Sequence, residues 1–165
     1  MKLSETRYDN LETGCCARLD PARWDGQTLN WRGRRFLRAR VRALFHIPVN
    51  FGAVMRRVHA SVESAEAYPV EPFWLSDEVS PWSSDLYVAV DRSVPGGDTV
   101  TLDGTFLTRV FEGSFRHVGD WIKAMQAHVE SQGRTTRKIY FFYATCPKCA
   151  KHFGQNQVVL FAQVD

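Results

Sequence analysis

The sequence predicts an α+β domain made of two similar strand–helix–strand–strand units. Three observations lead to this prediction: apolar and basic residues alternate in one stretch, apolar residues recur at helical spacing in the next, and the same succession returns after the loop Pro95-Gly96-Gly97-Asp98. Two such units can join edge to edge into one antiparallel sheet, with helices on one side and a concave ligand cleft on the other.

The first unit begins with a strand that has one apolar side. From Arg35 onward, apolar residues and arginines alternate with a period of two, which is typical of a strand with one buried face. The apolar positions are Leu37, Ala39, Val41, Ala43 and Phe45, and the arginines between them are Arg38, Arg40 and Arg42. This alternation indicates a solvated strand face, so nucleic acid is not an expected partner.

A helix and two short strands complete the first unit. Asn50 is the predicted N-cap, and an apolar stripe follows it at helical spacing. The stripe consists of Phe51, Val54, Met55, Val58 and Val62. Residues 73–79 and 85–90 then indicate two strands, joined by a turn through Pro81 and Trp82.

The second unit repeats this order. Residues 100–111 are strand-like, and a helical stripe follows that Gly133 ends. The stripe consists of Val118, Trp121, Ile122, Met125 and Val129. Residues 138–144 and 157–164 indicate the two closing strands.

The two units can be superimposed in sequence, which indicates an internal duplication. The helices end in Ser61-Val62-Glu63-Ser64 and His128-Val129-Glu130-Ser131, and this offset also aligns both apolar stripes. With an insertion in the last loop, the closing strands align as well. We therefore predict repeats at about 35–91 and 100–165 within a domain spanning 35–165, preceded by a polar, turn-rich arm at 1–34.

The composition favours a small-molecule ligand over a macromolecular partner. Aromatic residues make up 13% of the 165 residues, and a net charge of +3 is too small to indicate nucleic acid. Aromatic side chains suit a ligand pocket, although they fill a core equally well. No apolar run approaches the roughly 20 residues that span a bilayer, so neither a membrane partner nor a location outside the cytoplasm is expected. We expect a monomer or a weak homodimer.

At this point the sequence resembles the GyrI-like family of small-molecule-binding proteins. The resemblance covers about residues 35–165 and rests on the element order and on several short stretches. These are Gly104-Thr105-Phe106, Phe111-Glu112-Gly113-Ser114-Phe115, a helix containing Trp121, Ile139-Tyr140-Phe141-Phe142-Tyr143, and Val158-Val159-Leu160. The resemblance implies a duplicated fold that binds small molecules in a central cleft, here as a stand-alone effector-binding domain. It also implies that hydrolysis is an alternative, since some members open reactive, strained molecules held in an aromatic cage.

The sequence departs from the family in one respect. Many members carry a buried glutamate at the start of the last strand, whereas the segment Gly154-Gln155-Asn156-Gln157-Val158 has no carboxylate. Cation recognition or catalysis by a residue at that position is therefore not expected.

Six aromatic residues are the candidate ligand-binding residues. They lie on elements that should border the cleft: Trp74, Trp82, Phe106, Trp121, Phe141 and Tyr143. Trp121 shares its stripe with Ile122 and Met125, so core packing is an equal alternative there. Glu112, Glu78 and Tyr143 are the candidate catalytic residues for a hydrolase, because an acid in a dry pocket can act as a general base.

Cys146 and Cys149 form the sharpest chemical motif, because two thiolates at this spacing can share a zinc ion or form a redox disulfide. Glycine soon after the motif disfavours a thioredoxin-type helix, and reduced structural thiols are the alternative. The prediction is therefore a small-molecule-binding protein without a cofactor. A hydrolase and a cysteine-based metal or redox protein remain as alternatives.

Overall fold

The computed structural model describes residues 20–45, 47–70, 72–144, 151, 154 and 156–165. The protein has an α+β fold that divides into two compact units. Unit 1 contains residues 32–103, and unit 2 contains residues 20–31 and 104–165. Among the described residues, no helix has the length and apolar character needed to cross a membrane.

Unit 1 contains a four-stranded antiparallel sheet and one long helix. Its strands are β1 (Thr28–Leu44), which starts in unit 2, β2 (Ile47–Pro48), β3 (Trp74–Ser80) and β4 (Ser83–Ala89). The strand order is β2-β1-β4-β3. The predicted alternation is confirmed within β1, because Leu37 and Val41 are buried whereas Arg38 and Arg40 are exposed. It is wrong for Phe45, which lies in the turn after β1 and is 69% exposed.

The first long helix packs its apolar stripe on this sheet. Helix α2 spans Phe51–Ser64, after a short helix α1 (Pro21–Trp24) in unit 2. Val54, Val58 and Val62 are buried in one core with residues of β1 and β4. Asn50 occupies the N-cap position as predicted, but its side chain accepts a hydrogen bond from the Arg42 N–H at 2.8 Å instead of capping the helix.

Unit 2 contains a three-stranded antiparallel sheet and a second long helix. The strands are β5 (Asp98–Glu112), which starts in unit 1, β6 (Thr136–Tyr143) and β7 (Gln157–Val164), in the order β6-β7-β5. A 3₁₀ turn at Phe115–His117 leads into helix α3 (Val118–Ser131). Trp121, Met125 and Val129 of α3 are buried against this sheet, as the helical stripe predicts.

Each unit thus contains the predicted succession of strand, helix and two strands, and unit 1 has in addition the short strand β2 before its helix, which the sequence pattern did not predict. The internal duplication and the cleft between the repeats remain predictions. One difference concerns the arm, because β1 begins at Thr28 and not at Arg35. Gly33, with φ of 63°, interrupts the alternation of apolar and polar residues but does not end the strand. The alternation therefore did not indicate that residues 28–34 also belong to β1.

Candidate functional site

The sheet of unit 2 has two distinct faces, and the strand register defines them. Residues directly opposite each other in an antiparallel pair point to the same side of the sheet. Val158, Leu160 and Ala162 of β7 pack with α3. The intervening residues Val159 and Phe161 therefore point to the face away from the helix.

This second face carries a cluster of six aromatic rings, which we call the aromatic face. Three of the rings are buried in the sheet: Phe106, Tyr140 and Phe161. Phe142 lies further along β6. Trp24 and Trp31 belong to residues 20–31, which we call the N-terminal segment. Trp31 lies 4.4 Å from Phe106 between ring centroids, and Trp24 lies 5.6 Å from Phe161. The edge of Trp24 also meets Phe142 at 6.1 Å.

Access to the aromatic face differs from ring to ring. Phe106, Tyr140 and Phe161 are buried, whereas Trp24, Trp31 and Phe142 are half-buried. A ligand that approached this face would therefore meet the two tryptophans and Phe142 first. Large, rigid rings of this kind provide contact area at low entropic cost, which suits ligand binding.

Backbone hydrogen bonds hold the N-terminal segment against β5. The Gly26 N–H donates to the Thr108 carbonyl at 2.9 Å, and the Thr108 N–H donates to the Gln27 carbonyl at 3.0 Å. The buried Thr108 hydroxyl also donates to the Trp24 carbonyl. Asp25 contributes a side-chain contact, because its carboxylate accepts the Val110 N–H at 3.0 Å. These bonds fix the position of Trp24 on the aromatic face.

A polar pair lies on the same face at one end of the sheet. Glu112 and Gln157 are directly opposite each other, and Gln157 Nε2 donates to Glu112 Oε1 at 3.0 Å. The side chain of Gln157 is almost fully buried, whereas Glu112 is exposed. A carboxylate of the neighbouring strand β5 thus lies within hydrogen-bonding distance of the first residue of the last strand.

Three of the predicted site residues lie on the opposite side of this sheet. Trp121 and Phe141 are buried in the core formed with α3, and Tyr143 packs against the same core. Tyr143 stacks on Phe141 at 5.8 Å between centroids, and Trp121 stacks on Phe111 at 5.9 Å. Of the candidates in unit 2, only Phe106 and Glu112 share the face with the six rings.

The remaining candidates lie in unit 1 and do not form one cluster there. Trp74 packs against α2, with its ring 5.5 Å from Phe51. Trp82 lies in the exposed turn between β3 and β4. Glu78 is exposed on β3 and accepts a hydrogen bond from the Ser76 hydroxyl at 3.2 Å.

The other face of the sheet in unit 1 is rich in charge. Arg40 Nε bonds Asp85 at 2.6 Å, and Arg38 Nε bonds Asp98 at 2.8 Å. The hydrogen bond that Arg38 donates to Asp98 raises the pKa of Arg38. Burial beside the Phe73 ring lowers the pKa of Arg34. Two of the three arginines in the alternation, Arg38 and Arg40, thus have carboxylate partners within unit 1.

A shallow depression of about 360 Å³ also lies in unit 1. Its lining consists of Ala60, Ser61, Ser64, Ala65 and Pro95. It contains no aromatic ring and no ionisable side chain, so we do not assign it as the site.

Cys146 and Cys149 lie outside the described residues, and among those described no group of His, Cys, Asp or Glu is arranged to hold a metal. The zinc and redox alternatives stay predictions.

Comparison with known protein families shows which family the chain belongs to. A family described as "Bacterial hydrolase" matches residues 6–164. The chain belongs to the bacterial hydrolase family. No curated protein matches the sequence significantly.

Solved structures similar to this family member support the fold. A hydrolase from Listeria innocua has a TM-score of 0.61 at 11% identity, over 86% of this chain and 92% of that one. An uncharacterised conserved protein from Listeria innocua has a TM-score of 0.61 at 13% identity, with the same coverage. The C-terminal domain of EcmrR has a TM-score of 0.59 at 11% identity, over 86% of this chain and 98% of that one. Together with the family match, they fit the GyrI-like, effector-binding fold, but they do not identify a specific member.

Sequence reasoning missed five of the six rings on the aromatic face and also Gln157. Strand β6 is apolar at every position from Ile139 to Tyr143, so a period of two cannot tell which residues face the helix. Trp24 and Trp31 were predicted within an arm, and no local pattern indicates where an arm packs. Thr108 and Gln157 gave no signal either, because Arg109 follows Thr108 and Asn156 precedes Gln157, so neither stands out as a polar residue within an apolar run.

Proposed function

We propose that the protein binds a small, planar, predominantly apolar molecule at the aromatic face of unit 2, as a ligand-binding protein of the GyrI-like type. One observation carries the proposal: six rings gather on the sheet face away from the helix, three of them only half-buried. The helix side of the same sheet has its own core, which already contains Trp121 and Phe141. A second cluster with accessible edges is what a ligand site requires.

The charges beside these rings favour a neutral ligand over a cationic one. Lys138 Nζ lies 5.4 Å from the Tyr140 centroid, and the Arg23 guanidinium lies 5.9 Å from Trp24. Lys138 and Arg23 thus already occupy positions near the Tyr140 and Trp24 rings where a cationic ligand would otherwise be attracted. A neutral aromatic molecule stacks without competing with them and without repulsion.

A titration with N-phenyl-1-naphthylamine, a neutral fluorescent aromatic probe, tests this proposal. Phe142→Leu should weaken binding about three- to tenfold, because one accessible ring contact is lost. Phe141→Leu is the matched control, since it changes the adjacent ring on the helix side and should reduce stability but not affinity. Equal affinity of the two folded variants would remove the aromatic face as the site.

Hydrolysis is the second candidate, and the Glu112–Gln157 pair favours it. The Gln157 amide orients one oxygen of the carboxylate at 3.0 Å, beside the aromatic face. Glu112 could accept a proton from water as the water oxygen attacks an electrophilic carbon of the bound molecule, whose leaving oxygen takes the bonding electrons. The name of the family supports hydrolysis in general terms.

Styrene oxide, which joins an aromatic ring to a strained electrophile, is a suitable test substrate. Glu112→Gln keeps the shape but removes the base and should lower the rate of ring opening about 100-fold. Glu130→Gln, an exposed acid at the end of α3, should leave the rate unchanged. If wild-type protein opens the epoxide no faster than buffer does, binding alone remains.

A further inference from the structure

The three inner rings of the aromatic face have almost no contact with solvent. Phe106 and Phe161 are 0% exposed, and Tyr140 is 4% exposed. Trp24 and Trp31 are two of the side chains that lie against these rings. A ligand can therefore stack on the inner rings only where a covering side chain moves aside.

The two tryptophans belong to elements of very different stability. Trp31 lies in the 17-residue strand β1, which also pairs with β5. Trp24 ends helix α1, which has four residues, none of them buried. A short element without a buried residue opens at low free energy, because it exposes little apolar area when it leaves. Trp24 is therefore the ring that can move aside while the strands stay in place.

One short stretch of β5 holds the residues around Trp24. We call residues 20–27 the cover, because Thr28 already begins β1. The cover is bonded through its last four residues to Thr108 and Val110. Gly26, with φ of 67°, lets the chain turn from α1 into β1, since glycine takes this conformation without strain. The cover can thus leave β5 as one piece.

The place that the Trp24 indole occupies suits a bicyclic aromatic ring. The Phe161 ring meets the indole at an interplanar angle of 64°, and the Phe142 ring meets it at 73°. Edge-to-face contacts of this kind are favourable for any planar ring system of that size and need no polar group. A bicyclic ligand in the same place would keep both contacts.

We propose, on the basis of the proposed ligand binding at the aromatic face, that the cover competes with the ligand and that a bicyclic planar aromatic molecule takes the place of Trp24. The Trp24 ring then acts as an internal competitor. Only molecules with an open cover bind, so the apparent affinity is the intrinsic affinity multiplied by the open fraction.

Hydrogen exchange of the full chain at Gly26 tests the displacement directly. The Gly26 N–H donates to the Thr108 carbonyl while the cover is closed. Saturation with N-phenyl-1-naphthylamine should lower the protection of Gly26 at least about tenfold, because the bound probe keeps the cover open. Amides in the centre of β7 should keep their protection. Unchanged or higher protection at Gly26 would show that the probe binds beside a closed cover and would overturn the proposal.

Trp24→Gly removes the internal competitor. The variant should bind N-phenyl-1-naphthylamine about three- to tenfold more tightly than wild type, because the probe no longer has to displace a ring. Trp82→Gly is the matched control, since it removes an exposed tryptophan of unit 1 and should leave the affinity unchanged. Weaker binding by Trp24→Gly would make Trp24 a fixed wall of the site and reject the cover, while binding at the aromatic face would stand. Absence of probe binding by wild type would remove both.

Filling the empty place in Trp24→Gly tests the size of the ligand. Indole should raise the Tm of this variant more than the same concentration of phenol does, because a bicyclic ring restores both edge-to-face contacts. Wild type should respond less to indole than the variant, since its own Trp24 occupies the place. Equal Tm shifts with indole and phenol would reject a bicyclic ligand, and an equal response of wild type and variant would reject the place of Trp24 as the binding site.

Discussion

Thr108→Val should loosen the N-terminal segment without disturbing the core of unit 2. Thr108 is fully buried, and its hydroxyl donates to the Trp24 carbonyl. Valine keeps the branched shape but cannot donate, so the bond is lost and the carbonyl loses a partner. The lost bond and the poorly solvated acceptor together should cost about 1–2 kcal/mol.

Hydrogen exchange at Gly26 measures this effect where it should occur. The Gly26 N–H donates to the Thr108 carbonyl, so its protection reports how often the segment leaves β5. A cost of about 1–2 kcal/mol corresponds to roughly five- to thirtyfold more frequent opening. Amides in the centre of β7 should keep their protection, because the sheet itself is unchanged.

Thr105→Val provides the control for this prediction. Its hydroxyl donates to Asn30 Oδ1 at 2.9 Å in an exposed setting, where water can replace it. The expected change in stability is below about 0.5 kcal/mol. If Gly26 exchanges equally in both variants and in wild type, the buried hydroxyl does not hold the segment, and Trp24 is not a fixed part of the aromatic face.

Three further predictions concern local packing and pH. Gly97→Ala should cost about 1–3 kcal/mol in thermal or urea unfolding, because a Cβ there would lie 2.6 Å from Leu37 Cδ1 in the core. Gly119→Ala should instead stabilise by about 0.5–1 kcal/mol, because this exposed helical position has open space; a loss of stability would contradict the assigned helix. Burial lowers the pKa of His59 below 6.5, with Glu63 opposing the shift. Between the lowered pKa of folded His59 and about 6.5, the unfolded chain therefore binds more protons than the folded chain. The free energy of unfolding should fall as the pH drops below about 6.5, and His59→Asn should make this pH dependence weaker.

The order of the elements was predictable because each depends on local periodicity. Alternation along β1 and the stripes of α2 and α3 record which side chains are buried, and the structure confirms them. The first residues of β1 were not predictable in this way, because Gly33 breaks the pattern while the backbone continues. The hydrogen-bond partner of Asn50 was also not predictable, because Arg42 lies on β1 whereas Asn50 lies at the start of α2.

The candidate site was predicted only in part. Phe106 and Glu112 were chosen from the sequence and share the aromatic face, whereas Phe141 and Tyr143 point to the helix. A strand that is apolar on both sides gives no sign of which side packs on the helix. The register with β7 supplies that information, and it depends on residues far away in the sequence.

The sequence by itself determined the α+β class, the order of the elements and the helical stripes of the core. These follow from the burial of side chains within single elements, which a local pattern records. Only the tertiary structure decided which rings gather on one face, that Trp24 and Trp31 join them, and that Glu112 meets Gln157. Those contacts join residues distant in the chain, so they depend on strand pairing and on the packing of the N-terminal segment, and local periodicity carries no record of either.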